Sequence, residues 1–238
     1  MAGPVRSLRA AAAFVDRVGL ALVFPKEGVA LPSLWEAVAG DPAVPFMGER
    51  EDGRSEMAPE AHMLWTWKDE LAAERLACAG KHVRTWPVLV SLELLPALYA
   101  LTGRPGTAVD FRNAVLTPLE RDVAEAVLAT DPPVTAPAIR RLVGRRDAAT
   151  LNRAIDSLQR SLVLTRAGTV ERGSGWPVIG YDVLARRHGD RLRRLPAPEP
   201  ARSQLAVAVR RTAGDVTPAG LARALGFTRA EAASALAS

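Results

Sequence analysis

The stretch TPLERDVAEAVLATDPPVTAPAIRRLVGRRDAATLNRAIDSLQRSLVLTRAGTVERGSGWPVIGYDVL, residues 117–184, decides the fold. It opens with Thr117 three positions before Glu120, so the hydroxyl can cap a backbone N–H while the carboxylate reaches back. Pro118 stands at the first helical position, where its missing N–H costs nothing. Val123 and Val127 give this helix one apolar stripe, and Asp131-Pro132-Pro133 stops it. A short helix follows, capped by Thr135, burying Ile139 and Val143 and ending at Gly144. Asp147 is placed to cap a third helix, in which Leu151, Ile155, Leu158 and Leu162 recur at helical spacing. Arg146, Ala149, Thr150, Arg153, Ser157 and Arg160 fall on the opposite side, a short, polar, positive face. LVLTRAG and WPVIGYDVL, joined by the glycine-bearing TVERGSG, then read as a β-hairpin.

Three helices followed by a hairpin is the winged helix-turn-helix order, in which the third helix enters the DNA major groove and the hairpin lies along the backbone or minor groove. The order assigns DNA contacts to Arg145, Arg146, Thr150, Arg153 and Ser157 at the third helix, and to Arg166, Arg172 and Trp176 on or near the wing. Charge agrees. Residues 137–194 hold 13 arginines against five acids, a balance of +8 within a chain whose net charge is +5. A basic patch so focused attracts a polyanion in a salt-dependent way. Winged helices also serve as protein-contact modules, and an arginine-studded face is compatible with simple solvation.

An internal repeat extends the pattern. RDVAEAVLATDPPVTAPAIRRLVG and SQLAVAVRRTAGDVTPAGLARALG align without gaps, pairing Val123 with Leu205, Val127 with Val209, Thr135 with Thr217, Ile139 with Leu221 and Gly144 with Gly226. Thr228 and Glu231 open a further helix with another capping box. Between the repeats, RRLPAPEPARS is proline-rich and reads as an extended linker. The expected class is therefore mainly α with small β wings: tandem winged helix-turn-helix units preceded by an N-terminal, mostly helical domain. Its expected divisions are residues 1–115, a winged helix over 116–194, and a second helix-turn-helix over 201–238 without a complete wing.

The N-terminal part is less periodic. SLRAAAAFVDRVG reads as a helix, LALVF as a short strand, and SLWEAVAG as a helix with Ser33 and Glu36 in a capping box. GDPAVPFMGEREDGRSEMAPE, rich in acids, glycine and proline, reads as an exposed loop. PVLVSLELLPALYAL continues as a strand and then an apolar helix interrupted at Pro96. The chemically dense stretch is WTWKDEL, residues 65–71. Lys68, Asp69 and Glu70 supply an amine and two carboxylates, the residue types that attack a sugar or position water there, beside tryptophans able to hold an opened duplex. The plainer reading makes Trp65 and Trp67 buried anchors and leaves Lys68 and Glu70 solvated. Because tryptophan is usually well buried, the plainer reading is favoured.

VGLALVFPKEGVALPSLWEAVAG, WTWKDEL and GKHVRTWPVLVSLELLPALYALTG, followed by winged-helix units, resemble short bacterial proteins related to the AlkZ-type DNA glycosylases. The resemblance implies an architecture of several winged helices, a DNA partner, and excision of alkylated or crosslinked bases through a Gln-x-Gln or Gln-x-Asp motif. The chain departs from that motif. Its only glutamines, Gln159 and Gln204, are followed two positions later by Ser161 and Ala206, so no catalytic residue carries over.

Composition bounds the remainder. An apolar fraction of 48% supports a core of ordinary size. The single cysteine, Cys78, cannot form an internal disulfide, and Asp16 and Arg17 interrupt the first apolar run too early for a signal peptide, so a reducing cytoplasm is expected. No run approaches the roughly 18 apolar residues of a membrane span. Three scattered histidines and one cysteine give no zinc spacing, and no phosphate-cradling glycine motif occurs, so neither metal nor cofactor is expected. The first functional expectation is a duplex-DNA-binding protein of regulatory or damage-recognising type, with double-stranded DNA as partner. Base excision is the alternative, with a protein-interaction module or homo-oligomer third.

Overall fold

The computed structural model describes residues 4–41, 43–49, 55–144, 147–173 and 175–237. Helix α1 (Leu8–Val18) starts where the Ser7 hydroxyl accepts the Ala10 N–H, and it ends at Gly19, whose φ of +78° suits a residue without a side chain. Strand β1 (Leu20–Leu22) leads to α2 (Leu34–Ala39), whose Ser33–Glu36 capping box is formed in both directions. The expected exposed loop instead contains a short antiparallel pair, β2 (Met47–Glu49) and β3 (Ser55–Met57). Three residues per strand are too few to leave an alternating pattern. Helix α3 (Pro59–Ala73) carries WTWKDEL, and β4 (Cys78–Val83) and β5 (Trp86–Val90) follow as an antiparallel hairpin.

Strand β1 joins that hairpin in the order β1–β5–β4. Period-two alternation sends Leu20, Leu22, Val88 and Val90 into one core, while Ala21, Val23 and Leu89 enter another. Helices α1 to α3 cover the second face. The first face receives α4 (Leu95–Ala100), in which Pro96 occupies the first turn and so does not interrupt the helix.

The quoted stretch then builds α5 (Pro118–Leu128), β6 (Val134–Thr135), α6 (Ala136–Leu142), α7 (Ala148–Arg160), β7 (Leu164–Val170) and β8 (Val178–Val183), with strand order β6–β8–β7. Each expected cap is present on Thr117, Thr135 and Asp147. The two-residue β6 was not legible as a strand. Its pairing turns this hairpin into a three-stranded sheet, so helix, strand, helix, helix, strand, strand occurs twice in the chain with matching strand order. The N-terminal part is thus built on the same plan as the winged helix that follows it, with β2–β3 inserted before its third helix.

Two arginines of the basic segment are spent inside the fold. Arg186, on the short α8 (Leu184–Arg187), bonds Asp182 at 2.7 Å and the carbonyls of Val127, Leu128 and Thr130, satisfying the end of α5. Arg187 reaches the carbonyls of Ala72 and Ala73 at the end of α3. The connection from α4 to α5 is tied down similarly: Asp110, 3% exposed, accepts from Tyr99, Arg104 and the Gly106 N–H, while Arg104 also bonds the Ser161 carbonyl.

The repeat appears as α9 (Pro198–Ala213), α10 (Pro218–Leu225) and α11 (Arg229–Ala237), with caps on Thr217 and Thr228. Much of the expected extended linker is helical, because Pro198 begins α9 and Pro200 still lies in its first turn, where a missing N–H is harmless. Among the described residues, no helix is long and apolar enough to cross a membrane.

Candidate functional site

Two concavities flank the wing. The first is a groove of about 290 Å³ between the start of α6, the N-terminal half of α7 and the wing loop, with Arg140, Asn152 and Arg172 on its rim. Arg140, Arg153 and Arg172 are all exposed, and among the described residues none forms a salt bridge, although Arg153 stands near enough to Asp147 to favour its ionised form. Arg153 is steadied by donating to Thr150 Oγ1 at 2.8 Å, while the Thr150 and Ala149 N–H groups bond the Asp147 carboxylate. Bonds from the Thr150 side chain and from those backbone groups hold the Asp147 carboxyl below the usual carboxylate range. The start of α7 is thereby fixed with an arginine facing solvent.

Other sequence-predicted contacts separate from this groove. Ser157 turns toward α5 and bonds the Glu120 carboxyl; burial opposes ionisation of that group, but Ser157, Thr117 and Arg160 outweigh it and lower its pKa. Arg166 is half-buried on β7, with Nε buried and without a partner among the described residues. It belongs to the inner side of the sheet. Arg145 and Arg146 lie outside the described residues. Arg140 and Asn152 were not singled out by sequence, although Arg140 is exposed on α6 beside the buried Ile139.

The second concavity, about 350 Å³, lies on the other side of the wing against α3. It brings Trp65, Asp69 and Glu70 together with Glu171 and Trp176, which are more than 100 positions away in sequence. The two tryptophan rings meet edge to face, with centroids 6.0 Å apart and planes at 68°. This arrangement revises the favoured reading of WTWKDEL. Trp67 packs against the core formed with α1 and α2, but Trp65 is 38% exposed and Trp176 is 65% exposed. Lys68, expected in solvent, is buried: its Nζ lies 2.6 Å from Asp69 Oδ2 and 4.3 Å from the Trp65 ring centroid. Burial pulls the Lys68 pKa below its ordinary value, opposed by Asp69 and reinforced by Arg166. Helix α3 is packed on two sides, by α1 and α2 and by β7, so no single face of it is uniformly apolar in sequence.

A polar seam joins β4 to α7 and β7. Gln159, 1% exposed, accepts the Lys81 N–H through its side chain, and its carbonyl accepts from His82 Nδ1 at 3.0 Å. Lys81 Nζ pairs with Asp156 at 2.6 Å, and Thr165 donates to the Ala79 carbonyl at 2.9 Å. Burial pushes the Cys78 thiol up to about 12, His82 down to about 4 and His188 down to about 3. The thiol is consequently unreactive and both imidazoles are neutral near pH 7. Gln159 is a joint of the structure, while Gln204 is exposed on α9; neither lines the tryptophan cleft. Among the described residues, no group of three or more His, Cys, Asp or Glu side chains is gathered as a metal site.

The family described as "AlkZ related" matches residues 5–226, nearly the whole chain, and the protein belongs to that family. Among solved structures, the chain is similar to the Streptomyces sahachiroi DNA glycosylase AlkZ, with a TM-score of 0.54 and 16% identity. That alignment covers 99% of this chain and 59% of the other, so this chain spans well under two thirds of its relative's length. At such identity the likeness is one of fold. No curated protein matches.

Proposed function

We propose that this AlkZ-related protein binds duplex DNA through the wing and the N-terminal half of α7, in a role linked to recognition of DNA damage. The observation that carries the reading is that Arg140 of α6 and Arg172 of the wing loop line one groove against the N-terminal half of α7, on which Arg153 is also exposed, and that none of the three forms a salt bridge among the described residues. In a winged helix these positions lie where a major groove and its flanking phosphates would sit. The link to damage rests on the family and on the relative named a DNA glycosylase.

The corresponding helix of the first unit does not compete for this role. The face of α3 near Ala73 is packed against β7, where a Cβ added at Gly168 would come within 2.8 Å of Ala73 Cβ. The third helix of the last unit, α11, offers little cationic surface, with Arg229 its one basic residue. DNA reading therefore falls to α7.

The test is to incubate the purified protein with undamaged and alkylated duplexes at two salt concentrations, following both binding and base release. Binding that weakens as salt rises, without base release, is the expected result. Base release would replace it with the excision reading. Salt-independent association, or none, would refute the DNA interface.

A further inference from the structure

The cleft between α3 and the wing has the chemistry of a site for a compact organic cation. Its tryptophans come from two different units, yet their rings form two walls at 68°. Steeply inclined aromatic walls are how proteins surround an alkylated ammonium, whose charge is attracted to ring faces and whose methyl groups need apolar contact. The rest of the lining mixes His62, Thr66 and Thr169 with carboxylates, of which Glu70 and Glu171 pair with no cation among the described residues. The third lining carboxylate, Asp69, is committed to Lys68. Trp65 already accepts one cation, because Lys68 Nζ sits 4.3 Å from its ring centroid, with that charge balanced by Asp69.

From this cleft we infer that the protein binds a small molecule carrying a quaternary ammonium group, held against Trp65 and Trp176 and balanced by Glu70 and Glu171. Alkylation at nitrogen suits the site better than a bare amine, since it supplies methyl surface for the rings and has a smaller hydration shell to lose. A polyphosphate or carboxylate ligand is disfavoured by the acidic lining. The volume of about 350 Å³ holds a group of choline size with room for a short substituent.

The test uses the full chain, with choline as probe and 3,3-dimethylbutan-1-ol as its uncharged counterpart, at matched ionic strength. Tryptophan fluorescence and calorimetry report binding. Choline is expected to bind saturably at millimolar concentration or below, with the neutral counterpart weaker by about tenfold or more. Trp176→Ala, which removes a mostly exposed ring, should keep the fold and weaken choline about tenfold. Glu70→Gln with Glu171→Gln should weaken it while leaving the neutral alcohol unaffected. Equal binding of choline and the alcohol, no saturable signal for choline, or an unchanged Trp176→Ala affinity would each overturn the inference.

Discussion

Asp69 has a buried ammonium to satisfy. Lys68 is 7% exposed, and among the described residues the Asp69 carboxylate at 2.6 Å is its ionic partner. Breaking such a pair from one side costs more than removing it whole, because the surviving charge remains in low dielectric. Asp69→Asn is therefore expected to destabilise the fold by about 2–3 kcal/mol, and adding Lys68→Met should recover much of that loss. Denaturant unfolding of the two singles and the double checks this; a neutral Asp69→Asn would contradict it. The sign with pH follows from Lys68, whose folded pKa is already lowered by burial and loses an opposing influence with Asp69. Between the variant's lower folded pKa and the native one, only the variant's folded Lys68 has lost its proton, so the deficit of Asp69→Asn should shrink as pH rises through that window. WTWKDEL was legible as chemically dense, but the partners that decide its role, Glu171 and Trp176, reach it only through tertiary packing.

Within elements, caps and stripes were legible because they are local. Ser33 with Glu36, Thr117 with Glu120 and Thr228 with Glu231 all close as their spacing demands. Strands β2, β3 and β6 were not, because two or three residues carry no periodicity and are fixed by their neighbours. The approach of α3 to β7 gives a second prediction. Gly168 has φ +107° beside the bulge between Arg166 and Gly168, and Ala73 occupies the space its side chain would need. Gly168→Ala must therefore strain the backbone and push α3 away. A loss of about 2–3 kcal/mol is expected by denaturant unfolding, while Gly173→Ala, with open space around it, should change little. Equal effects at the two sites would remove α3–β7 contact as a determinant of stability.

At the scale of the molecule, the same helix and strand plan occurs twice, and a three-helix unit follows. The repeat between the second and third units was visible as aligned Thr caps and Gly stops, whereas the first unit hid behind the β2–β3 insertion and a third helix without one apolar face. His82 joins the first two units through the Gln159 carbonyl, and it and His188 are both held neutral by burial, with pKa values of about 4 and about 3 against an ordinary 6.5. As pH falls below 6.5 the unfolded chain gains protons that the folded chain refuses until its own lower values. Stability should be full above that pH and decline by roughly 1.4 kcal/mol per pH unit per histidine on further acidification. Replacing His82 with Asn, which can still donate toward the Gln159 carbonyl, should flatten that limb in pH-dependent unfolding; an unchanged slope would contradict the assignment. The central claim, that α7 and the wing form the DNA face, is tested most directly by duplex affinity across a salt series for the native chain and for Arg140→Ala, Arg153→Ala, Arg172→Ala combined. These side chains are exposed, so melting should be unchanged, while affinity should drop and the salt slope shrink by about one per lost phosphate contact. The same affinity and slope in a variant that melts like the native protein would contradict the account.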